Sequence, residues 1–309
     1  MIVAEGTLTD VPGVQVGHWT DTEAETGVTV MTFPEPNVAV ADVRGGAPGT
    51  REIAAFGDAI KPVTVNALVF SGGSAFGLAS ADGVMAEVAK DGRGAPTPAG
   101  PIPIVPTAIV FDLMSGSVVR RPGASEGAAA YRARSSGPVV QGRVGAGTGV
   151  TVANWRGIEA VRPSGIGSAA VTMGAATVAA LVVLNAIGDV FALDGESLTG
   201  GDPASLEMPE VPQPGENTTL VCVATDASLR DRNELRRCAI RAHDALGACI
   251  RPTHTRYDGD SVFVVGCGKV DADVDALQQA AFVVVGRAIE AAVAATPIPD
   301  GWSPSWREG

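Results

Sequence analysis

The chain has 309 residues, of which 46 % are hydrophobic and 18 % charged, a balance that excludes a disordered chain and suits a globular one with a large core. Its formal net charge is −12, and no run of lysine or arginine occurs, so neither nucleic acid nor an anionic membrane is an expected partner. With 39 glycines and only 5 % aromatics, the core has to be built from Val, Ala, Ile and Leu between many tight turns.

The first half predicts short strands closed by Gly and Pro. GVQVGHWTD (13–21), TGVTVMTFP (26–34) and NVAVADVRGG (37–46) each alternate over a few residues. NALVFSGGSAFGLASADGVMAEVAKDG (66–92) reads as a strand, a glycine turn and a helix beginning near Ser74. IPIVPTAIVFDL (102–113) is a second apolar run, and AAAYRAR (128–134) a short helical piece. GRVGAGTGVTVANW (142–155) predicts a glycine-rich loop entering a strand, which SAAVTMG (168–174) and ATVAALVVLN (176–185) continue as a sheet. The stretch 169–188 is uncharged and long enough to imitate a membrane span. Gly174 splits it and its second half is rich in β-branched residues, so a strand buried on both faces is expected.

Residues 194–216 lack apolar periodicity and predict an exposed connector. Beyond them TTLVCVATDA (218–227) reads as a strand and 231–250 as a helix whose Leu235, Cys238, Ala239, Ala242, Leu246 and Cys249 share one face. A strand, SVFVVGCG (261–268), and a long apolar helix over 276–295 follow. No repeat and no second domain boundary is evident, so a single layered α/β domain over 1–309 is expected.

Several motifs fail. GAGTG (145–149) lacks the GxGxxG spacing of a dinucleotide loop, which sets aside a nucleotide-binding enzyme. SGGSAFG has no Lys-Ser/Thr, GxSxG is absent, and His18, His243 and His254 are scattered. Neither a metal nor a cofactor is therefore expected. Cys222, Cys238, Cys249 and Cys267 form no CxxC and sit among apolar residues, as buried free thiols do. With no secretory signal at the N-terminus, a cytoplasmic, reducing compartment is expected.

Two features remain. Asn217-Thr218-Thr219 places hydroxyls at the start of a strand, directly after the connector, where ordinary strand initiation explains them equally well. Asp258 and Asp260 flank Gly259 just before another strand. They read either as a plain turn or as paired carboxylates that hold a hydroxyl or an ammonium.

Taken together with GVQVGHWTD, VRGGAPGTRE, NALVFSGGSAFGL, GRVGAGTG, VVLNAIG, ENTTLVCVATDASL and HTRYDGDSVF in that order, the chain resembles the DmpA-type aminopeptidases and nylon-oligomer (6-aminohexanoate) hydrolases over essentially its full length. The threonine and the DGD turn bring it nearer the nylon hydrolases than the serine-type β-aminopeptidases. The resemblance implies an αββα sandwich and a precursor that cuts itself between Asn217 and Thr218. It also implies α (1–217) and β (218–309) chains that stay together, usually as a tetramer of cleaved pairs, acting on a small peptide or amide. By the same resemblance Thr218 is the nucleophile, Asn185 the oxyanion-side amide, and Asp258 and Asp260 the acidic pair, with Thr219 beside them. Two departures follow. Asn154 stands where relatives usually carry lysine, and Phe111 where they carry tyrosine. These two features favour the alternative, an uncut and catalytically silent binding or scaffold member of the same fold.

Overall fold

A computed structural model describes residues 6–57, 60–205, 217–228 and 231–304. Among them, ten strands make two five-stranded sheets packed face to face. The first contains β1 (Gln15–Asp21), β2 (Thr26–Thr32), β4 (Thr50–Arg51), β5 (Ala67–Ser71) and β6 (Thr107–Ile109), in the order β1-β2-β5-β6-β4. The second contains β3 (Val38–Val43), β7 (Ile166–Met173), β8 (Ala176–Asn185), β9 (Thr218–Ala227) and β10 (Ser261–Val270), in the order β3-β10-β9-β8-β7. Within this sheet β9 and β10 run parallel, while the other pairs are antiparallel. Helices α1 (Ser80–Lys90) and α2 (Ala124–Arg132) cover the first sheet. Helices α3 (Arg232–Cys249) and α4 (Val274–Ala294) cover the second. The layers are thus helix, sheet, sheet, helix, the αββα sandwich that the family resemblance implies.

The central strands owe their unbroken apolar runs to burial on both sides. Leu181, Val183, Leu220, Cys222, Phe263 and Val265 meet Met31, Leu68 and Phe70 between the sheets. Their neighbours Val182, Leu184, Val221, Val223, Val262 and Val264 pack on Leu235, Ala239, Leu277 and Val284 of the helices. The span-like stretch 169–188 is accordingly a hairpin, with Met173 paired to Ala176 across a turn in which Gly174 adopts φ 65°. The predicted α3 face is buried at all six positions. Cys222, Cys238 and Cys249 are buried free thiols, and Cys267 is half-buried.

Three predicted elements change. The run 102–113 yields only Thr107–Ile109 as strand, because Pro103 and Pro106 have no N–H to give a ladder. Helix α2 begins four residues before the predicted AAAYRAR, since the Glu126 carboxylate accepts the Gly123 N–H at 2.9 Å and caps an earlier first turn. The GAGTG stretch is a buried 3-10 turn at Gly145–Gly147. A Cβ on Gly145, at φ 51°, would lie 2.3 Å from Thr29 Oγ1, so this turn is pressed onto the β1–β2 hairpin. Of the predicted connector, 206–216 lie outside the described residues.

One buried carboxylate fastens the first sheet to the loop after it. Asp112 accepts the Thr26 hydroxyl at 2.7 Å and the Gly73 N–H at 2.7 Å. Burial pushes its carboxyl from 3.8 up to about 6. A raised folded-state value favours the fold at low pH, and that contribution is lost as pH climbs from 3.8 through about 6. Asp112→Asn removes the titration along with one acceptor. Its deficit against the parent in urea unfolding is expected to narrow by about 1 kcal/mol between pH 5 and pH 8.

Candidate active site

The turn before β10 grips the chain on both sides of the Asn217–Thr218 bond. The Tyr257 carbonyl accepts the Asn217 N–H at 2.9 Å, and the Gly259 N–H donates to the Asn217 carbonyl at 2.8 Å. One residue on, the Asp260 carboxylate accepts the Thr219 N–H at 2.8 Å, and the regular β9–β10 ladder begins only at Leu220 and Ser261. The DGD sequence is what makes this possible. Its glycine admits the junction closely, since a Cβ there would stand 2.7 Å from Thr218 Oγ1 and 2.8 Å from the Ala47 carbonyl.

Thr218 opens β9 on the face turned toward the other sheet, two residues before Leu220. It is buried, and its hydroxyl lies 2.5 Å from the carbonyl oxygen of Asn217. Its hydrogen bond goes to that carbonyl and to neither Asp258 nor Asp260. Thr219 points the opposite way, and its hydroxyl is buried without a partner; what it gives the cluster is its N–H.

Asn185 ends β8 and is the cross-strand partner of Thr218, so the two side chains share a face within about 5.5 Å at Cβ. Its amide oxygen accepts the Thr151 N–H at 3.1 Å, and its NH2 faces the Phe111 carbonyl at 3.3 Å. Phe111 therefore enters through its backbone. Asn154 donates to the Asn217 side-chain oxygen at 2.7 Å. It is carried there because Ala153 and Trp155 hydrogen-bond to Gly188 and Ile187 just past β8. The predicted positions thus gather around one bond, Phe111 through its backbone carbonyl and Thr219 through its N–H.

The two carboxylates are both buried, yet their surroundings shift them in opposite directions. Burial and the negative Asp260 push Asp258 from 3.8 up to about 6, against the pull of the Thr255 hydroxyl and N–H, which it accepts at 2.7 and 2.8 Å. Burial pushes Asp260 the same way, but the His254 imidazole and the Thr219 N–H outweigh it and hold the carboxyl below its usual range. His254 Nδ1 lies 2.7 Å from Asp260 Oδ2, and its ring meets that of His243 edge-on at 4.8 Å. Two of the three histidines thus converge, although the sequence reading found them scattered. His254 precedes Asp260 by six residues, a spacing that flanks the turn and was the available signal. Among the described residues, no group of three or more metal-ligating side chains converges.

Chemically, the cluster offers a hydroxyl beside a carbonyl, an N–H already on that carbonyl oxygen, a second amide within reach and a carboxylate holding the next N–H of the strand. Gly259→Ala drives a methyl against both the hydroxyl and the Ala47 backbone. If the hydroxyl reacts, this variant is expected to slow any scission at 217–218 by more than 100-fold, read by intact mass over time.

Solved structures share these layers. A Burkholderia sp. beta-aminopeptidase superimposes with a TM-score of 0.76 at 22 % identity, over 99 % of this chain and 91 % of that one. The L-aminopeptidase D-Ala-esterase/amidase of Ochrobactrum anthropi, a variant of the Ntn hydrolase fold, gives 0.75 at 21 % identity, over 96 % and 88 %. The fold is that of an Ntn hydrolase. In sequence, an uncharacterized aminopeptidase of Mycobacterium leprae (strain TN) is 38 % identical across 89 % of this chain and 82 % of its own length. The 6-aminohexanoate-oligomer endohydrolase of Kocuria sp. (strain KY2) is 28 % identical across 85 % and 75 %. The profile of peptidase family S58 matches residues 6–301, and the chain belongs to that family. Its chemistry is accordingly the hydrolysis of amide bonds.

Proposed function

We propose that the chain cuts itself between Asn217 and Thr218 and that Thr218 then serves as the N-terminal nucleophile of an aminopeptidase or amidase for small linear peptides or amides. The observation that carries this reading is the two-sided grip on that bond, with the Thr218 hydroxyl 2.5 Å from its carbonyl oxygen.

In the first step Thr218 Oγ attacks the Asn217 carbonyl carbon and its proton passes to the departing Thr218 nitrogen, leaving an ester. Negative charge gathers on the carbonyl oxygen, where the Gly259 N–H already donates; one such donor is worth about 3 kcal/mol. Water then hydrolyses the ester, which frees the Asn217 carboxylate, the hydroxyl and an α-amine. An amine of this kind titrates at about 8, close enough to neutral to take the proton from its own hydroxyl and pass it to a leaving amine. Asn185, cross-strand from Thr218, would turn its NH2 from the Phe111 carbonyl to the substrate oxyanion. The histidines are not needed as bases in this scheme.

The α (1–217) and β (218–309) parts would remain one particle. Assembly into a tetramer of such pairs and residence in a reducing compartment belong to the same proposal. The test is the intact mass of the purified chain under denaturing conditions, together with a panel of amino-acid amides and short peptides followed by chromatography. Two fragments meeting at Asn217/Thr218 and release of an amine-terminal residue are expected. One full-length mass, unchanged on long incubation, would overturn the reading and leave a silent member of the fold.

A further inference from the structure

We propose that His254 is a positioning residue of this site: it pins the Asp260 carboxylate against the Thr219 N–H. The inference rests on the reading of Thr218 as the reactive hydroxyl.

Asp260 receives four donors. Oδ1 takes the Thr219 N–H, and Oδ2 takes the Thr253 hydroxyl at 3.0 Å, the His254 N–H at 3.1 Å and His254 Nδ1 at 2.7 Å. Because an ionised carboxylate only accepts, Nδ1 carries the hydrogen. His254 makes two of these bonds at one oxygen because its backbone is left-handed, at φ 56°. That conformation is strained for a residue with a side chain and collects where function needs it. The ring's far nitrogen, Nε2, is buried without a partner.

The ring cannot swing away. His243, from α3, closes over it edge-on at 4.8 Å and is itself fixed by its Nε2–H on the Asp42 carbonyl at 3.1 Å. Burial lowers His243 to about 4, so at neutral pH it is an uncharged wedge. The charged and titratable groups facing the pair are Asp258 on the same turn, His243 from α3, and Asp42 and Arg44 at the end of β3. Asp42 and Arg44 pair with each other at 3.0 Å. His254 therefore holds the Asp260 carboxylate in place, and through the Thr219 N–H that carboxylate fixes the first residues of β9.

Two variants separate this role from mere packing. Asparagine and glycine both tolerate a left-handed backbone. His254→Asn keeps a donor where Nδ1 stands, whereas His254→Gly keeps the backbone and loses the donor. Full-length chains are pulse-labelled and their conversion to two fragments is followed, with thermal melts confirming the fold. His254→Gly is expected to cut roughly 10- to 100-fold more slowly than the parent, the loss of one charge-assisted hydrogen bond. His254→Asn is expected to recover most of that rate. Uncut His254→Gly incubated from pH 5 to pH 9 should go on accelerating beyond the pH at which His254→Asn levels off, because the Asp260 carboxyl holds its proton more tightly without the donor.

A folded His254→Gly that cuts like the parent would overturn the proposal and leave the Thr218 reading standing. So would a folded His254→Asn that loses more than about 10-fold, an outcome that decides the matter even where the glycine variant does not fold. A parent chain that never cuts would sink both.

Discussion

Thr218→Ala is expected to leave the chain whole and without measurable amide hydrolysis, a loss of at least about 1,000-fold, whereas Thr218→Ser should still yield two fragments. Both outcomes follow from one side chain. Alanine keeps only the Cβ and offers nothing to attack the Asn217 carbonyl, and the neighbouring Thr219 hydroxyl is on the opposite face of β9. Serine keeps the oxygen and gives up only the β-branch that restricts the rotamer. Intact mass and hydrolysis of an amino-acid amide are read on the same preparations. Scission that persists in Thr218→Ala would move the nucleophile elsewhere.

Asp260→Asn is expected to slow self-scission and turnover by about 100-fold and to lower unfolding stability by about 2–4 kcal/mol. Four donors converge on the carboxylate, and an amide can accept on one oxygen only. Its NH2 must then face either the Thr219 N–H or the His254 cluster, which leaves a buried donor unpaired. The neighbouring charge on Asp258 would not compensate, because its oxygen is committed to Thr255. Conversion of pulse-labelled chains and urea titration measure the two effects. A stability loss with unchanged scission would confine Asp260 to a structural role.

Much of the architecture was legible because burial writes itself into local pattern. The doubled apolar runs of 176–185, 218–227 and 261–268 reported strands covered on both sides, and the 3-and-4 spacing of α3 reported its inner face. The start of α2 was hidden, since a single Glu126–Gly123 bond set it. The order of strands was hidden too, because it depends on pairings across the whole chain. At the site, the quoted words located Asn217, Thr218, Asn185 and the acidic pair, and these do converge. The sequence could not tell that Asp258 and Asp260 sit in opposite charge environments. That difference arises from the donors that His254, with its left-handed backbone, and the Thr219 N–H turn onto Asp260 alone, an arrangement that leaves no mark in composition.

The strand order β3-β10-β9-β8-β7 has a consequence for when scission can happen. The adjacent strands β10 and β9 come from beyond residue 217 and are flanked on each side by strands that precede it. A chain severed there is woven rather than docked, and its pieces could not part without tearing the sheet. Tyr257, Gly259 and Asp260 reach the junction only once β10 has joined β9. In the proposed scheme, then, the bond is gripped only in a molecule whose topology is complete. Scission would act as proofreading, arming the chains that have folded and leaving the others inert.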